Sequence, residues 1–489
     1  MINLSHAPLL QDILSNVKNH PDKIALIDGN LQISYTQLYD NIVNKVYYIN
    51  HLKLKKGDKI VLSAQKEVEF IYLYFAAHIL GVINVVVDSS SKHDVLDYII
   101  SLAKPKIVFG FDYEGYRCIH YQEIVNVDYT TNTSLSNIDS SDTTSTADIM
   151  FTTGTTGHPK GVVLSHHNIY SSAKNINSFI KNESSDIEVL GLPICHSFGL
   201  GRLRCTLIKG ATLVLLGNFA NLKLFFNAIE KYSATAFCMV PAVWSYIQRF
   251  SGDRISKYAE QIKYIEIGSA AMSEADKLKL IELFPKTRIC MHYGLTEASR
   301  ALYMQFDKYI EDLNSVGTPV SEHVEVAIID ENGNMLDELV EGEICIKGNM
   351  VMKTYFLSND NKDAFWGDYF RTGDWGYRGK NGRYYLVSRT KELINVGGKK
   401  VSPIEIEKAI TALGIKECVC IAVKDKNGLL GEVPKALIVK DGCEFTFEEI
   451  HKQLSKVIAP YKLPAEYDWI DEVPKTSSGK VQRFKLYNK

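Results

Sequence analysis

Short runs of β-branched apolar residues alternate with longer helical patterns, and this alternation restricts the fold more than any other feature of the sequence. KIVLSA at 59–64 is followed by VEFIYLYFAAHIL at 68–80 and then by VINVVVD at 82–88. A strand, a helix and a second strand in this order predict βαβ units, largely parallel sheets and an α/β fold. The chain has 489 residues, which is more than one hydrophobic core supports, so two or more domains are expected.

One apolar segment is long enough to be mistaken for a membrane span. FIYLYFAAHILGVINVVV covers residues 70–87 and nearly reaches the length that crosses a bilayer. However, His78, Gly81 and Asn84 interrupt it, and Asp88 follows it directly. The segment therefore predicts a buried helix, a turn at Gly81 and a core strand.

Charge and cysteine content argue against several classes of protein. Lys and Arg number 55 against 57 Asp and Glu, a formal net charge of −2, so the overall charge does not favour nucleic-acid binding. The nine cysteines are scattered without metal-binding spacing, which favours a reducing compartment. The N-terminus lacks the basic and apolar regions of a signal peptide. We therefore expect a cytoplasmic protein.

The pattern changes toward the C-terminus. Residues 402–405 (SPIE) read as a capping box with proline at the first helical position, and residues 446–449 (TFEE) start a second helix in the same way. A strand pattern, CVCIAV, lies between them. These elements predict a compact α+β domain of about a hundred residues. We place the boundary near Arg389, which gives domains at 1–389 and 390–489.

A loop rich in glycine and threonine, FTTGTTGHPKG, occupies residues 151–161 behind a short apolar run. It is not a Walker-type phosphate loop, because Pro159 stands where that motif needs a glycine before Lys160. Its chemistry still suits phosphate, since glycines let backbone N–H groups turn toward an anion while hydroxyls and a lysine add further contacts. From the loop alone, a phosphate cradle and a plain surface loop are equally good interpretations.

Further motifs accompany this loop. They are LPICHSFGL (192–200), YGLTE (293–297), GEICIKG (342–348), RTGD (371–374), SRTKELINVGGKKVSPIEIE (388–407) and PKTSSGKVQR (474–483). Together with FTTGTTGHPKGVV, and in this order, they resemble the adenylate-forming superfamily, also called the AMP-dependent synthetase and ligase family. Its members include acyl-CoA synthetases, adenylation enzymes and firefly-type luciferases. The resemblance implies a large N-terminal domain of layered mixed sheets flanked by helices, plus a small mobile C-terminal α+β domain.

The resemblance also implies a reaction. A carboxylic acid would be activated by ATP to acyl-AMP, with release of pyrophosphate, and then transferred to a thiol. Coenzyme A is the leading acceptor; a stand-alone ligase that loads a separate carrier protein is the alternative, and a luciferase-like oxygenase is the third. ATP, Mg²⁺ and coenzyme A are the implied cofactors. A degenerate nucleotide-binding protein is disfavoured because Lys480, Glu297 and Asp374 are all present.

Residue roles follow from the same resemblance. The implied catalytic residues are Lys480, Glu297, Thr296 and His196, with Glu297 as the Mg²⁺ ligand. The implied phosphate contacts are Thr152, Thr153, Gly154, Thr155, Thr156, Gly157 and Lys160. The other implied nucleotide and thiol contacts are Ser269, Ala270, Ala271, Tyr293, Gly294, Leu295, Asp374, Arg389, Lys391, Gly397 and Gly398. Because two anions must meet in this reaction, cations and dipoles aimed at them are needed.

Several of these residues carry specific tasks in the family. Lys480 would bridge the α-phosphate and the carboxylate, and Tyr293 would pack on the adenine. Asp374 and Arg389 would contact the ribose, while Lys391 would be the hinge. Gly397 and Gly398 would line the thiol channel. Plainer interpretations also exist, since Lys480 could be a surface lysine and Asp374 a turn residue.

The sequence gives partial information about the acid. Amino-acid-activating relatives carry an aspartate where this chain has Ser197, beside His196 at the acyl-pocket position. We therefore expect a plain carboxylic acid rather than an α-amino acid. Arg300 would either contact a second polar group of the acid or face solvent. Met291 and His292 depart from the common family pattern, which weakens any transfer of substrate identity.

Overall fold

The structure, a computed structural model, describes residues 7–64, 68–125, 127–129, 142–152, 159–440, 442–475 and 481–487. The chain forms two compact units. The N-terminal unit contains residues 1–313, 319–325 and 346–370, and the C-terminal unit contains 314–318, 326–345 and 371–489. These units are defined by the contacts within them, whereas the prediction concerns a mobile C-terminal domain. The predicted domains 1–389 and 390–489 therefore stay a prediction.

Eleven α-helices lie within the described residues. They are α1 (Pro8–Asn19), α2 (Tyr35–His51), α3 (Val68–Leu80), α4 (His93–Ala103), α5 (His166–Ile180), α6 (Ser197–Ile208), α7 (Leu222–Tyr232), α8 (Pro241–Ser251), α9 (Glu274–Leu283), α10 (Pro403–Thr411) and α11 (Phe447–Leu454). The first nine belong to the N-terminal unit and the last two to the C-terminal unit.

The strands are short. The first fourteen are β1 (Ile24–Asp28), β2 (Leu31–Ser34), β3 (Lys59–Ser63), β4 (Ile83–Val87), β5 (Ile107–Phe109), β6 (Cys118–Ile119), β7 (Thr146–Thr152), β8 (Lys160–Ser165), β9 (Ile187–Leu190), β10 (Thr212–Leu215), β11 (Ala236–Met239), β12 (Tyr264–Ile267), β13 (Arg288–Tyr293) and β14 (Leu302–Gln305). The others are β15 (Thr318–Pro319), β16 (Val324–Ile329), β17 (Gly342–Gly348), β18 (Thr354–Tyr355), β19 (Phe365–Trp366), β20 (Tyr369–Arg378), β21 (Tyr384–Arg389), β22 (Ile394–Val396), β23 (Lys399–Val401), β24 (Cys418–Lys424), β25 (Glu432–Val439) and β26 (Glu466–Ile470).

The largest sheet of the N-terminal unit is mainly parallel. Its strands follow the order β14-β13-β12-β11-β9-β10-β1-β2. The six strands from β13 to β1 pair in parallel, and the antiparallel β14 and β2 flank them. Every residue of β10, β11 and β12 is buried, as expected for parallel strands with both faces covered by helices. The sheet confirms the predicted α/β class.

A second sheet in the same unit follows the order β18-β8-β7-β4-β3-β5-β6. Its central strands β4 and β3 pair in parallel, and α3 connects them in sequence. The βαβ unit predicted at 59–88 is therefore confirmed. The apolar segment 70–87 forms the buried helix α3, a turn at Gly81 with φ +66°, and the core strand β4, as predicted.

A helix that spans a membrane must be both long and apolar. Among the described residues, no helix meets both conditions. The cytoplasmic location stays a prediction. Of the polar segment 130–146, residues 130–141 lie outside the described part, and β7 begins at Thr146.

The C-terminal unit contains the sheet β16-β17-β20-β21 and the three-stranded sheet β24-β25-β26. The predicted strand CVCIAV is β24, whose alternate residues Cys418 and Cys420 enter one core cluster while Val419 enters another. Both predicted helix starts are confirmed, since the side chains of Ser402 and Thr446 each accept a hydrogen bond from the third helical N–H. Helix α10 ends at Thr411.

Candidate functional site

The glycine-rich loop connects two paired strands. β7 and β8 are antiparallel neighbours, and Thr152 on β7 pairs with Lys160 on β8. The predicted phosphate contacts Thr153, Gly154, Thr155, Thr156 and Gly157 lie outside the described residues. The strand predicted before the loop is therefore present, and the two predicted contacts that are described, Thr152 and Lys160, face each other across the base of the loop.

Lys160 lies in a polar group that the sequence did not reveal. Its Nζ atom is 3.5 Å from a carboxylate oxygen of Asp360 and 4.7 Å from the ring centre of Tyr355. The hydroxyl of the same Tyr355 donates a 2.9 Å hydrogen bond to Oε1 of Glu297. Burial, followed by the Glu297 charge, raises the pKa of Tyr355, so the hydroxyl stays protonated as the donor. Tyr355 thus connects the base of the loop with the predicted magnesium ligand.

A tight turn fixes the segment that carries Thr296 and Glu297. Leu295 and Ala298 exchange backbone hydrogen bonds of 3.1 and 3.2 Å across these two residues. Gly294 precedes the turn, and a Cβ there would lie 2.3 Å from the backbone nitrogen of Arg300, so the close approach of backbone requires glycine. Glu297 is only 7% exposed. Its carboxylate is therefore held in one place before any ligand binds.

The start of helix α6 lies beside this turn. His196 is the N-cap residue of α6, and its carbonyl accepts a 3.0 Å hydrogen bond from Leu200 N. The next side chain, Ser197, accepts a 3.3 Å hydrogen bond from the hydroxyl of Thr296. The structure therefore brings together the LPICHSFGL and YGLTE segments. Burial, together with the Asp88 charge, raises the pKa of the thiol of the adjacent Cys195 to about 12.

Arg300 does not face solvent. It is 2% exposed, and its Nε atom lies 3.0 Å from Oε1 of the buried Glu266. Its two terminal nitrogens donate to the carbonyls of Ser197 and Phe198 at 3.4 and 3.0 Å. Arg300 also adopts a left-handed backbone conformation, with φ +54°. The solvent-facing interpretation is therefore wrong, and Arg300 fixes the first turn of α6; a contact with the acid stays a prediction.

His292, one of the two departures from the family pattern, belongs to the same buried cluster. Its Nδ1 atom lies 2.9 Å from Oε1 of Glu266, and its ring packs edge-on against Phe198. Burial alone would raise the pKa of Glu266. The positive charges of Arg300 and Arg202 have the larger combined effect, so the pKa of Glu266 lies well below its usual range. Burial lowers the pKa of His292. With Glu188, which also pairs with Arg202, the cluster therefore contains two carboxylates, two guanidinium groups and a neutral imidazole.

The other predicted nucleotide contacts of this unit lie at the ends of neighbouring strands. Ser269, Ala270 and Ala271 follow β12, and Tyr293 is the last residue of β13. The two strands are parallel, so their carboxyl ends lie at the same edge of the sheet, where ligands of α/β proteins usually bind. Ser269 has φ +74°, an uncommon conformation for a residue with a side chain.

In the C-terminal unit, the two predicted ribose contacts form one pair. Asp374 on β20 and Arg389 on β21 are direct neighbours across the strands. Arg389 Nε lies 2.8 Å from Oδ1 of Asp374, and Asp374 is only 2% exposed. A buried carboxylate held by a guanidinium group presents acceptor oxygens in a defined direction.

Glu343 explains why two of the motifs occur together. This glutamate of GEICIKG accepts 2.9 Å hydrogen bonds from the backbone nitrogen of Gly373 and from Nε of Arg371. Gly373 itself has φ +71°. The carboxylate of Glu343 therefore fixes the RTGD turn that precedes Asp374. No local signal in the sequence connects the two motifs, since they lie about thirty residues apart.

Gly397 and Gly398 form the two-residue loop of the β22–β23 hairpin, with φ +56° and +84°. A type I′ turn requires positive φ at both positions, which explains the glycines without any ligand. A Cβ at Gly398 would meet no atom within 4 Å, so space is present beside the backbone. Lys391 is exposed on a short 3₁₀ turn before the hairpin.

Lys480 lies outside the described residues, but both ends of its segment are fixed. Lys475 and Val481, on either side of it, form an isolated antiparallel bridge. Arg483 then binds both carboxylate oxygens of Glu407 at 2.6 and 2.8 Å and one oxygen of Glu392 at 2.7 Å. A bidentate arginine–carboxylate pair is among the strongest side-chain contacts, so the chain beside Lys480 is firmly anchored.

Comparison with family models gives two matches. Residues 14–356 match the model described as AMP-binding enzyme, and residues 405–480 match the AMP-binding enzyme C-terminal domain. An oxalate–CoA ligase from Arabidopsis thaliana is 30% identical over 97% of both chains. A 2-succinylbenzoate–CoA ligase from Bacillus licheniformis is 28% identical, covering 95% of this chain and 97% of that protein.

The similarity to solved structures with the same fold covers almost the whole chain. The ATP-bound MatB from Rhodopseudomonas palustris superposes with a TM-score of 0.89 at 24% identity, over 99% of this chain and 98% of that one. The o-succinylbenzoate CoA synthetase MenE from Bacillus subtilis, in complex with the acyl-adenylate OSB-AMP, gives 0.86 at 24% identity and 98% coverage of both chains. These matches confirm the predicted fold class.

Proposed function

The chain belongs to the AMP-binding enzyme family, and on that premise we propose that it is an acid–thiol ligase of the acyl-CoA synthetase type. It activates a carboxylic acid with ATP to acyl-AMP, releases pyrophosphate, and transfers the acyl group to coenzyme A. Relatives that match nearly the full chain are named as CoA ligases for oxalate, 4-coumarate and 2-succinylbenzoate.

The connection between Lys160, Tyr355 and Glu297 is the observation that carries this proposal. The ring of Tyr355 contacts Lys160 at the base of the glycine-rich loop. Its hydroxyl donates a hydrogen bond to the buried carboxylate of Glu297. The reaction brings a carboxylate up to a triphosphate, so it needs positive charge already in place at the phosphates. We assign Lys160 and Thr152 to phosphate binding.

The same group fits a magnesium ion. Mg²⁺ prefers carboxylate oxygens and usually binds proteins through one or two carboxylates together with substrate phosphates. Among the described residues, the hydroxyl of Tyr355 is the group that donates to the Glu297 carboxylate, at Oε1. Glu297 is therefore the residue whose carboxylate would hold the ion. When bound, the ion would neutralise charge on the phosphates, while Thr296 and Glu297 hold it in position.

Further assignments follow the geometry of each segment. Asp374, held by Arg389, accepts hydrogen bonds from the ribose hydroxyls. Tyr293 and residues 269–271, at the ends of parallel strands, contact the adenine. His196 at the start of α6 lies in the acid pocket. Lys480 supplies the cation of the adenylation step, and the predicted division into domains 1–389 and 390–489 is part of this proposal.

The acid and the thiol are tested by one screen. Short, medium-length, long, aromatic and dicarboxylic acids and free α-amino acids are each incubated with ATP and Mg²⁺, with and without coenzyme A, and pyrophosphate and acyl-CoA are measured. We expect turnover with carboxylic acids and background values with amino acids, because Ser197 stands where amino-acid-activating enzymes carry an aspartate. Acyl transfer to a carrier protein but not to coenzyme A would favour the alternative acceptor, and light emission or oxygen uptake would favour an oxygenase.

The two half-reactions are expected to depend on different residues. Lys480→Ala should lose acyl-AMP formation yet still convert supplied acyl-AMP to the thioester, since its positive charge is needed only while two anions approach. Gly398→Leu should do the reverse, because a side chain there narrows the thiol path without reaching the phosphate. Each half-reaction is followed by rapid quench and chromatography.

Gly382 provides the matched control for this experiment. It also has a left-handed backbone, with φ +74°, and a Cβ there would meet no atom within 4 Å. Gly382→Leu therefore introduces the same backbone strain and should leave the ratio of the two half-reactions unchanged. Equal slowing of both half-reactions by Lys480→Ala would show that the lysine is structural and that this assignment of steps is wrong.

A further inference from the structure

Three side chains of different chemical type meet in front of helix α6. They are Asp88, Cys195 and His196, and one ligand atom from each, an oxygen, a sulfur and a nitrogen, lies within 4.8 Å of the other two. Asp88 directly follows β4, whereas the other two residues precede α6. The meeting therefore depends on tertiary structure, and the sequence, in which the cysteines show no metal-binding spacing, did not predict it.

We propose that Asp88, Cys195 and His196 form a binding site for a soft divalent cation of the zinc type. Thiolate, imidazole and carboxylate groups are the three kinds of ligand that zinc takes in proteins. Magnesium and calcium prefer sites built from oxygen alone, so the sulfur and nitrogen atoms select against them. Three protein ligands leave a fourth position open for a small molecule, as in exchangeable zinc sites.

The surrounding backbone supports this geometry. Oδ1 of Asp88 accepts hydrogen bonds from the backbone nitrogen and the hydroxyl of Ser90, at 2.9 and 2.6 Å. Such contacts orient a ligating carboxylate. The backbone nitrogen of His196 donates to the carbonyl of Pro193 at 3.4 Å, and the carbonyl of His196 accepts from Leu200. Zinc bonds of about 2.0–2.3 Å place ligand atoms roughly 3.3–3.8 Å apart, so side-chain torsions alone could close the site.

A cation bound at this site would weaken binding of the acid substrate. His196 is the residue that we assign to the acid pocket, so this consequence rests on the proposed function. A cation bound to its imidazole would hold the ring in one orientation and reduce the space for the substrate. Zinc is therefore expected to raise the apparent KM for the acid in the wild-type protein.

Direct binding is the primary test and does not depend on activity. The untagged, metal-stripped full chain is titrated with Zn²⁺ by calorimetry in the absence of ATP, and with Co²⁺ by absorption spectroscopy. We expect one Zn²⁺ per chain and a thiolate-to-cobalt charge-transfer band. Cys195→Ser should abolish the band and weaken zinc binding by at least about 10- to 100-fold, the range seen even for changes outside the ligand set. Asp88→Asn should weaken zinc binding but retain the band.

Cys118→Ser is the matched control, because Cys118 is also a half-buried thiol and lies on β6, outside the proposed site. It should leave the Zn²⁺ affinity and the cobalt band unchanged, and thermal unfolding curves show whether each variant is folded. Absence of Zn²⁺ binding, or the same affinity in wild type and folded Cys195→Ser, would overturn the proposal. If zinc binds as expected but does not change the KM for any acid, the site stands and the placement of His196 in the acid pocket is wrong.

Discussion

Replacing Glu297 by glutamine is expected to slow acyl-AMP formation about a hundredfold or more, the loss seen when one preorganised electrostatic group is removed. Glutamine has the same shape, and its amide oxygen can still accept the 2.9 Å hydrogen bond from Tyr355. Only the negative charge that we assign to Mg²⁺ binding is lost. The affinity for ATP should decrease by a smaller factor than the rate of acyl-AMP formation. The measurement is ATP–pyrophosphate exchange over a range of Mg²⁺ concentrations, together with an ATP titration.

Tyr355→Phe separates charge from geometry in the same assay. This variant keeps the Glu297 carboxylate and the aromatic ring beside Lys160, and it removes only the hydroxyl that fixes Oε1. We expect a smaller loss of rate than in Glu297→Gln and an unchanged dependence on Mg²⁺. If Glu297→Gln were as fast as wild type at low Mg²⁺, the assignment of this carboxylate to the metal would be refuted.

Replacing Arg300 by methionine is expected to lower the free energy of unfolding by about 3 kcal/mol or more, because removing one partner of a buried ion pair costs about 3–5 kcal/mol. Glu266 keeps Arg202 as a partner, at 3.2 Å, which places the loss near the lower end. Methionine has similar length and adds no backbone strain at φ +54° beyond that already carried by arginine. Chemical denaturation provides the measurement.

Arg288→Met is the matched control, because Arg288 is half-buried and donates a 3.0 Å hydrogen bond to the uncharged side chain of Gln305. Its loss should stay near about 1 kcal/mol, the value of an ordinary hydrogen bond. The double variant Arg300→Met/Glu266→Gln should recover part of the stability, since the uncompensated charge is also removed. An Arg300→Met protein as stable as wild type would contradict the buried pair.

Arg300 should also affect substrate binding through the first turn of α6. Its guanidinium group fixes the carbonyls of Ser197 and Phe198, which follow His196 directly. In Arg300→Met, measured under conditions where the protein stays folded, the KM for the acid should rise more than the KM for ATP. A loss of stability alone would lower the concentration of active protein and leave both KM values unchanged, so this comparison distinguishes positioning from folding.

The local elements of the fold could be predicted from the sequence because their causes are local. The capping residues Ser402 and Thr446 begin helices through contacts within one turn, and the interruption at Gly81 divides an apolar run into α3 and β4. The motifs also predicted that Asp374 and Arg389 act together, and the structure places them opposite each other on β20 and β21. Lys480 and residues 153–157 lie outside the described residues, so their predicted roles stay predictions.

Contacts between distant segments could not be predicted in this way. Tyr355 lies 58 residues from Glu297, and nothing in its neighbours marks it as the partner of that carboxylate. From the sequence, Arg300 is interpreted as a residue that faces solvent or contacts the substrate, because arginine is rarely buried. Its burial depends on Glu266, which lies 34 residues away on β12.

The family, the α/β class and the strands and helices around each motif could be predicted from the sequence, since these depend on periodicity, capping and short motifs. Which groups are neighbours depends on the tertiary structure. It placed Glu343 beneath the RTGD turn, brought Asp88 to Cys195 and His196, and buried Arg300 against Glu266. The physical reason is that a buried charge must find its partner in space, and packing of the sheets and helices, rather than separation along the chain, sets that distance.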